Sequence, residues 1–194
     1  MIIALAAATM VISGCAKPSA PAVSPLGTTS ASSTPTPSIT PSGTLQGAAT
    51  SEVNVPRQLR GDLTAVRVGK QDGYDRVVFE FGKDVPGYVV SYLRLPVKAD
   101  GSGNIVAMPG AAEGVQVSFH PASGSDWGGN PPKPTYLGPN RVSAGAAQAT
   151  EVVATGDFSG YLTWVVGLRH KVPFLVTRLD GPPRLVVDFQ HATS

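Results

Sequence analysis

Apolar and polar side chains alternate most clearly near the end of the chain, in Arg184-Leu185-Val186-Val187-Asp188-Phe189, which follows Gly181-Pro182-Pro183. Successive side chains of a strand point to opposite faces, so Leu185, Val187 and Phe189 share one face and Arg184, Val186 and Asp188 the other. The same pattern stands earlier, in Arg76-Val77-Val78-Phe79-Glu80-Phe81, entered through Asp72-Gly73-Tyr74-Asp75. There Val77, Phe79 and Phe81 oppose Arg76, Val78 and Glu80. Two strands of matching pattern, far apart in sequence, predict two walls of one β core.

Further strand-length segments are Leu63–Val68, Tyr88–Leu95, Asn104–Met108, Gly114–His120, Thr150–Thr155, Tyr161–Leu168 and Phe174–Leu179. Gly-, Pro- and Asp-rich turns separate them, among them Gly82–Gly87, Asp100–Gly103 and His170–Pro173. Val115, Val117 and Phe119 are expected inside, as are Leu162, Trp164, Val166 and Leu168. In Tyr88–Leu95 the expected inner set is Val89, Leu93 and Leu95, which leaves Tyr88, Tyr92 and Arg94 outside. Many short strands with turns about every ten residues predict an all-β fold, a small β-sandwich or a partly closed barrel. The only helical signal is a weak one at Ser143–Gln148.

One part breaks the rhythm. Pro121 to Gln148 is dense in Gly and Pro, with Trp127 beside Gly128-Gly129 and Tyr136 before Gly138-Pro139. A loop this long in a compact domain is usually functional or disordered. Either Trp127 covers an edge of the core, or Trp127 and Tyr136 form an aromatic binding platform.

The first residues do not fit a β domain. Met1 to Ile12 is an almost unbroken apolar run, too short to span a bilayer as a helix. It is expected to be the core of a signal peptide covering residues 1–15. It ends in Ile12-Ser13-Gly14-Cys15, which looks like a bacterial lipobox whose Cys is lipidated and becomes the mature N-terminus. The expected location is the extracytoplasmic face of the cell membrane, held by lipid on Cys15. Cys15 is the only cysteine, so the domain is stabilised without disulfides. Residues 16–54 are mostly Ser, Thr, Pro, Ala and Gly and are expected to form a disordered tether, since they offer too little apolar surface to offset ordering entropy. That leaves 55–194 for the sandwich.

Arg76-Val77-Val78-Phe79-Glu80-Phe81 and Pro183-Arg184-Leu185-Val186-Val187-Asp188-Phe189 together resemble the paired hallmarks of the AMIN family. More closely, they resemble the AMIN-like domains of actinobacterial lipoproteins. The likeness covers about residues 60–192. It implies a non-catalytic β-sandwich of the cell envelope. In AMIN proteins proper the domain is a localisation module held to bind peptidoglycan, so the resemblance implies wall polymer as the partner.

Composition narrows the chemistry. Charged residues are only 14% and the formal net charge is +2, with no Lys/Arg run, so nucleic acid is not an expected partner. His120, His170 and His191 stand at segment ends without metal-ligand spacing. Neither a Gly-x-Ser-x-Gly elbow nor a phosphate loop occurs, and no cofactor is expected. Glu80 and Asp188 each follow an Arg by four positions on one strand face, which suits cross-strand ion pairs with Arg76, Arg184 or Arg178 better than an acid/base pair. Tyr88, Tyr92 and Arg94, with Trp127 and Tyr136, are the candidate binding residues, because rings and a guanidinium suit sugar rings and peptide carboxylates. The expected protein is a non-enzymatic envelope lipoprotein that binds peptidoglycan. The alternative is a module that recruits or regulates another envelope protein.

Cys15→Ala is expected to abolish lipid labelling and leave unprocessed precursor. A substituted protein that is processed normally and still partitions into detergent would contradict the lipobox.

Overall fold

Strands form where the alternation is cleanest. The computed structural model describes residues 44–192, and it contains strands and no helix among them. The early strands are β1 (Val53–Val55), β2 (Gly61–Lys70), β3 (Tyr74–Phe81) and β4 (Gly87–Leu93). A small ribbon, β5 (Val97–Lys98) with β6 (Ile105–Val106), precedes β7 (Glu113–His120). Four short pieces follow: β8 (Ala122–Ser123), β9 (Ser125–Asp126), β10 (Lys133–Pro134) and β11 (Arg141–Ser143). The chain ends in β12 (Ala149–Phe158), β13 (Tyr161–Leu168), β14 (Phe174–Asp180) and β15 (Pro183–Gln190).

These strands build a sandwich. One sheet has the order β14-β15-β3-β2-β8, and the other β1-β4-β7-β13-β12-β11. Between them lies the core predicted by the alternation. Val77, Phe79, Phe81, Leu185, Val187 and Phe189 come from the first sheet, and Val115, Val117, Phe119, Leu162, Trp164 and Val166 from the second. Phe79 meets Phe119 and Trp164 edge-on, with ring centroids 5.2 and 6.2 Å apart, and Phe81 meets Phe119 at 5.0 Å. Such tilted ring pairs add to the gain from area burial.

The two hallmark strands, expected as two walls of the core, are instead neighbours in one sheet, so the second wall is built by β4, β7, β13 and β12. β3 and β15 pair antiparallel with Asp188 opposite Arg76. The guanidinium donates through Nε to Oδ1 at 2.7 Å and through Nη2 to Oδ2 at 2.9 Å. The Asp188 side chain is 1% exposed and that of Arg76 11%. Burial raises the Asp188 carboxyl above its ordinary value, and Arg76 offsets this only in part. The pair therefore acts more on strand register than as a net source of stability. Glu80 pairs with Arg67 on β2 instead of with Arg76 or Arg184. Arg184 donates to the carbonyls of Pro182 and Gly181, and Arg178 pairs with Asp84 and Asp180.

Four further expectations need correction. Val186, expected on a half-exposed face, is 1% exposed. It lies inside its sheet, flanked in register by Thr177 and Val78, and β15 is buried on both faces. In β4 the inner set is Tyr88, Val90 and Tyr92, the opposite parity to that expected. The tether was expected to reach residue 54, but residues 44–54 belong to the folded domain. Leu45 is 1% exposed, Ala49 exchanges two backbone hydrogen bonds with Phe174 (3.0 and 2.9 Å), and β1 pairs with β4. A polar average hid one Leu and two Val that meet open sheet edges. The signal peptide, Cys15 and the rest of the tether lie outside the described residues. Finally, no helix forms at Ser143–Gln148. The buried Asp75 accepts the backbone N–H groups of Ala147, Gln148 and Ala149 (3.3, 2.5 and 2.8 Å), which holds the chain in an irregular turn.

The outer face of the six-stranded sheet is partly covered by the segment between β4 and β7. Asp100 donates its N–H to the Thr155 carbonyl, and Ala112 donates to Leu168, both at 2.8 Å. Gly167 makes this approach possible, since a Cβ there would stand 2.6 Å from Thr150 Oγ1 and 3.0 Å from Ala111.

Leu45→Ala is expected to cost about 2–5 kcal/mol in denaturant unfolding, as a large-to-small core change. A neutral result would return residues 44–54 to the tether. Arg76→Ala is expected to cost about 3–5 kcal/mol because it strands a buried carboxylate. Arg67→Ala, which breaks an exposed pair, should cost under about 1 kcal/mol. Equal losses at the two arginines would show that burial of the Asp188 pair does not matter.

Candidate functional site

The predicted aromatics separate into core and surface. Tyr88 is 8% exposed, and burial raises its phenol above the ordinary value. Tyr92 packs against Phe174 at 5.9 Å. Its hydroxyl donates to the Val172 carbonyl at 2.6 Å and accepts the Val172 N–H at 3.0 Å, and burial raises its phenol as well. Arg94 is exposed just beyond β4 and does not share a face with the two tyrosines. Tyr136 is half-buried. Its ring stands edge-on to Trp164 at 5.4 Å, and its hydroxyl donates to the Pro139 carbonyl at 2.8 Å. Tyr136 thus covers the core edge, while Trp127 is 64% exposed.

A surface site forms around Trp127 because two turns meet there. β12 and β13 are joined by Ser159-Gly160, with φ of 51° and 79°. Two positive φ values in a two-residue connection make a type I′ turn, whose twist matches that of the strands it joins. Phe158 and Tyr161 flank the turn as a directly opposed pair, so their rings emerge on one face. They are 73% and 52% exposed. His120, at the end of β7, stacks on Tyr161 with centroids 4.1 Å apart and planes 21° from parallel.

The second turn carries Trp127 and is tied to the first. Ala122 donates its N–H to the Gly160 carbonyl at 2.8 Å. Asp157 Oδ2 accepts from Ser123 Oγ at 3.1 Å and from the Gly124 N–H at 2.9 Å. Ser123 Oγ in turn accepts from Trp127 Nε1 at 3.2 Å and from the Ser125 N–H at 3.1 Å. Ser123 is buried, so the indole edge is held from inside while the ring face stays open. Arg60 closes one side, with Nε donating to Asp62 at 3.0 Å and Nη2 to the Ser125 carbonyl at 3.1 Å.

Trp127, Phe158, Arg60, Ser123 and Asp157 line a cleft of about 310 Å³. A second groove of about 240 Å³ runs on past Tyr161 and His120 to Gly87, Asn54 and Gln58. A third cavity, about 360 Å³, lies between Tyr136, Trp164, Leu63 and Asn140. Among the described residues, no group of three His, Cys, Asp or Glu side chains is placed to hold a metal ion. Of the predicted residues only Trp127 belongs to the aromatic cleft. Phe158, Tyr161, Asp157 and Arg60 were missed. A signal was present in Phe158-Ser159-Gly160-Tyr161, since a Ser-Gly pair between two strands marks a tight hairpin.

The model of the AMIN-like domain family matches residues 61–191, which run from the start of β2 past the end of β15. Neither a curated protein nor a solved structure matches the chain.

The contrast between core and surface rings is measurable. Tyr88→Ala and Tyr92→Ala are expected to destabilise by about 3–5 kcal/mol, as deletions of packed aromatic rings. Trp127→Ala and Phe158→Ala should stay within about 1 kcal/mol, since they are exposed. Thermal melts of the four variants decide it, and a collapse on Phe158→Ala would place that ring in the core.

Proposed function

This chain belongs to the AMIN-like domain family, and on that premise we propose that it is a non-enzymatic, lipid-anchored envelope protein whose sandwich binds cell-wall peptidoglycan. The observation that carries the proposal is the aromatic end of the sandwich, where Trp127, Phe158 and Tyr161 stand exposed on a hydrogen-bonded frame. Exposed rings grouped on one rigid surface mark an interaction site. Aromatic faces beside hydroxyl and carboxylate groups suit a polymer of sugars and short peptides. The sequence at Cys15 supports an anchor that would hold the domain beside the wall. Tethering raises effective concentration toward millimolar, so weak intrinsic affinity suffices.

A second reading is recruitment of another envelope protein. It is favoured by β14, which ends the order of its sheet and is bridged at Phe174 by Ala49. Such an edge can accept an added strand.

Co-sedimentation of the detergent-solubilised full chain with isolated peptidoglycan separates the two. The proposal expects the chain in the pellet with a Kd in the micromolar range or weaker. A chain that stays in the supernatant, and instead captures a protein from envelope extract, would replace the first reading with the second.

A further inference from the structure

The cleft between Trp127 and Phe158 has a chemistry that distinguishes the parts of a wall polymer. Its walls are ring faces, and its charged groups already have partners inside the protein. Arg60 is bonded to Asp62 and to the Ser125 carbonyl, and Asp157 to Ser123 and the Gly124 amide. Each keeps spare capacity, because a guanidinium has five N–H donors and a carboxylate about four acceptor positions. These positions can serve hydroxyl and acetamido groups. A carboxylate fits poorly in the cleft, since its one cation, Arg60, is neutralised by Asp62, while Asp157 lines it and Asp126 adjoins Trp127 in sequence; the arginine of the adjoining groove, Arg57, is paired with Asp84. The local balance is negative and repels an anion.

The rings are also organised before any ligand arrives. The type I′ turn sets Phe158 and Tyr161, and the Asp157–Ser123–Trp127 chain of hydrogen bonds sets the indole. The Trp127 indole and the Tyr161 ring, which stacks on His120, therefore have little side-chain freedom left to lose on binding. Phe158, Tyr161 and His120 lie side by side on β12, β13 and β7. At a strand spacing of about 4.8 Å this row extends over roughly 10 Å. It leads from the Trp127 cleft into the groove at Gly87, Asn54 and Gln58. A row of rings continued by a groove suits a linear polymer better than a single small molecule.

We infer that the Trp127–Phe158 cleft and the Tyr161–His120 row form a polysaccharide site, which binds the uncharged amino-sugar rings of the glycan strand and not its peptide stems. The inference rests on the wall-binding reading above and narrows it to one chemical moiety. The apolar C–H face of a sugar ring lies on Trp127 or Phe158, and its hydroxyls share hydrogen bonds with Asp157 and Arg60.

The test compares four probes on the full chain and on its Trp127→Ala and Phe158→Ala variants. The probes are intact peptidoglycan, glycan strands stripped of stem peptide, a soluble β-1,4-linked N-acetylglucosamine oligomer, and a free stem peptide. Stripped strands end each muramyl lactyl group in a free carboxylate, so they should retain the chain as intact wall does once raised salt screens that charge. The oligomer should compete and should change Trp127 fluorescence, seen as the difference between the parent and Trp127→Ala. Each substitution should weaken retention on the order of tenfold with unchanged melting. With intact wall and with the oligomer, raising the salt should have little effect, since stacking is not screened. If intact wall is bound but stripped strands at raised salt and the uncharged oligomer are not, or if stem peptide competes, the sugar assignment is overturned and wall binding stands. Variants that bind intact wall like the parent also overturn it. If the chain ignores the wall yet binds the oligomer through Trp127, the wall reading falls and the sugar site stands.

Discussion

The placement of β15 between β3 and β14 is the constraint on which the remaining structure depends. It brings together segments separated by most of the domain, and the doubly bonded Arg76–Asp188 pair belongs to one register only. A slip of β15 by one residue would turn Leu185, Val187 and Phe189 out of the core and leave a buried carboxylate without its partner. Adjacent residues of a strand face opposite ways, so setting Arg76 outward sets Asp75 inward. There it accepts three consecutive backbone N–H groups at 147–149 and lies 2.8 Å from His191 Nε2. This one carboxylate ties together β3, the start of β12 and the chain beyond β15.

The aromatic end of the sandwich follows from the same register. Once Asp75 has placed Ala149, β12 runs out to Phe158 and its hairpin turn lies over the Ala122–Trp127 segment. That segment is fastened to β2, because β8 pairs in parallel with Gly61 and Asp62 and the Gly61 N–H meets the Pro121 carbonyl at 3.0 Å. The exposed rings thus stand on strand ends and on a short loop held from both sides. Such support gives a surface site a defined geometry without covering its faces.

Strand positions and the main inner face were legible in the sequence wherever one face is purely aliphatic or aromatic. β13 has the expected limits, β3 closes at Phe81 as expected, and Val115, Val117 and Phe119 point inward as their alternation implied. Tyrosine was the point of failure. Tyr88 and Tyr92 were treated as polar, yet each buries a ring, and Tyr92 satisfies its hydroxyl on the Val172 backbone, a partner distant in sequence. Pattern cannot reveal such a partner. The site was half legible for a related reason. Trp127 announced itself in a Gly-rich loop, whereas Asp157 and Ser123 gain their roles only when β8 is folded beside the β12–β13 turn. β1 and Leu45 escaped notice because a short edge strand leaves almost no periodic signal within polar sequence.

The position of β15 also bears on the order in which the chain is made. β2 and β3 appear early, but the hydrogen-bonding edge of β3 and the apolar faces of Val77, Phe79 and Phe81 wait for the last strand. Pairings this distant are slow to form and cannot be replaced by local ones. A chain that appears N-terminus first therefore cannot close this sheet until β15 has followed.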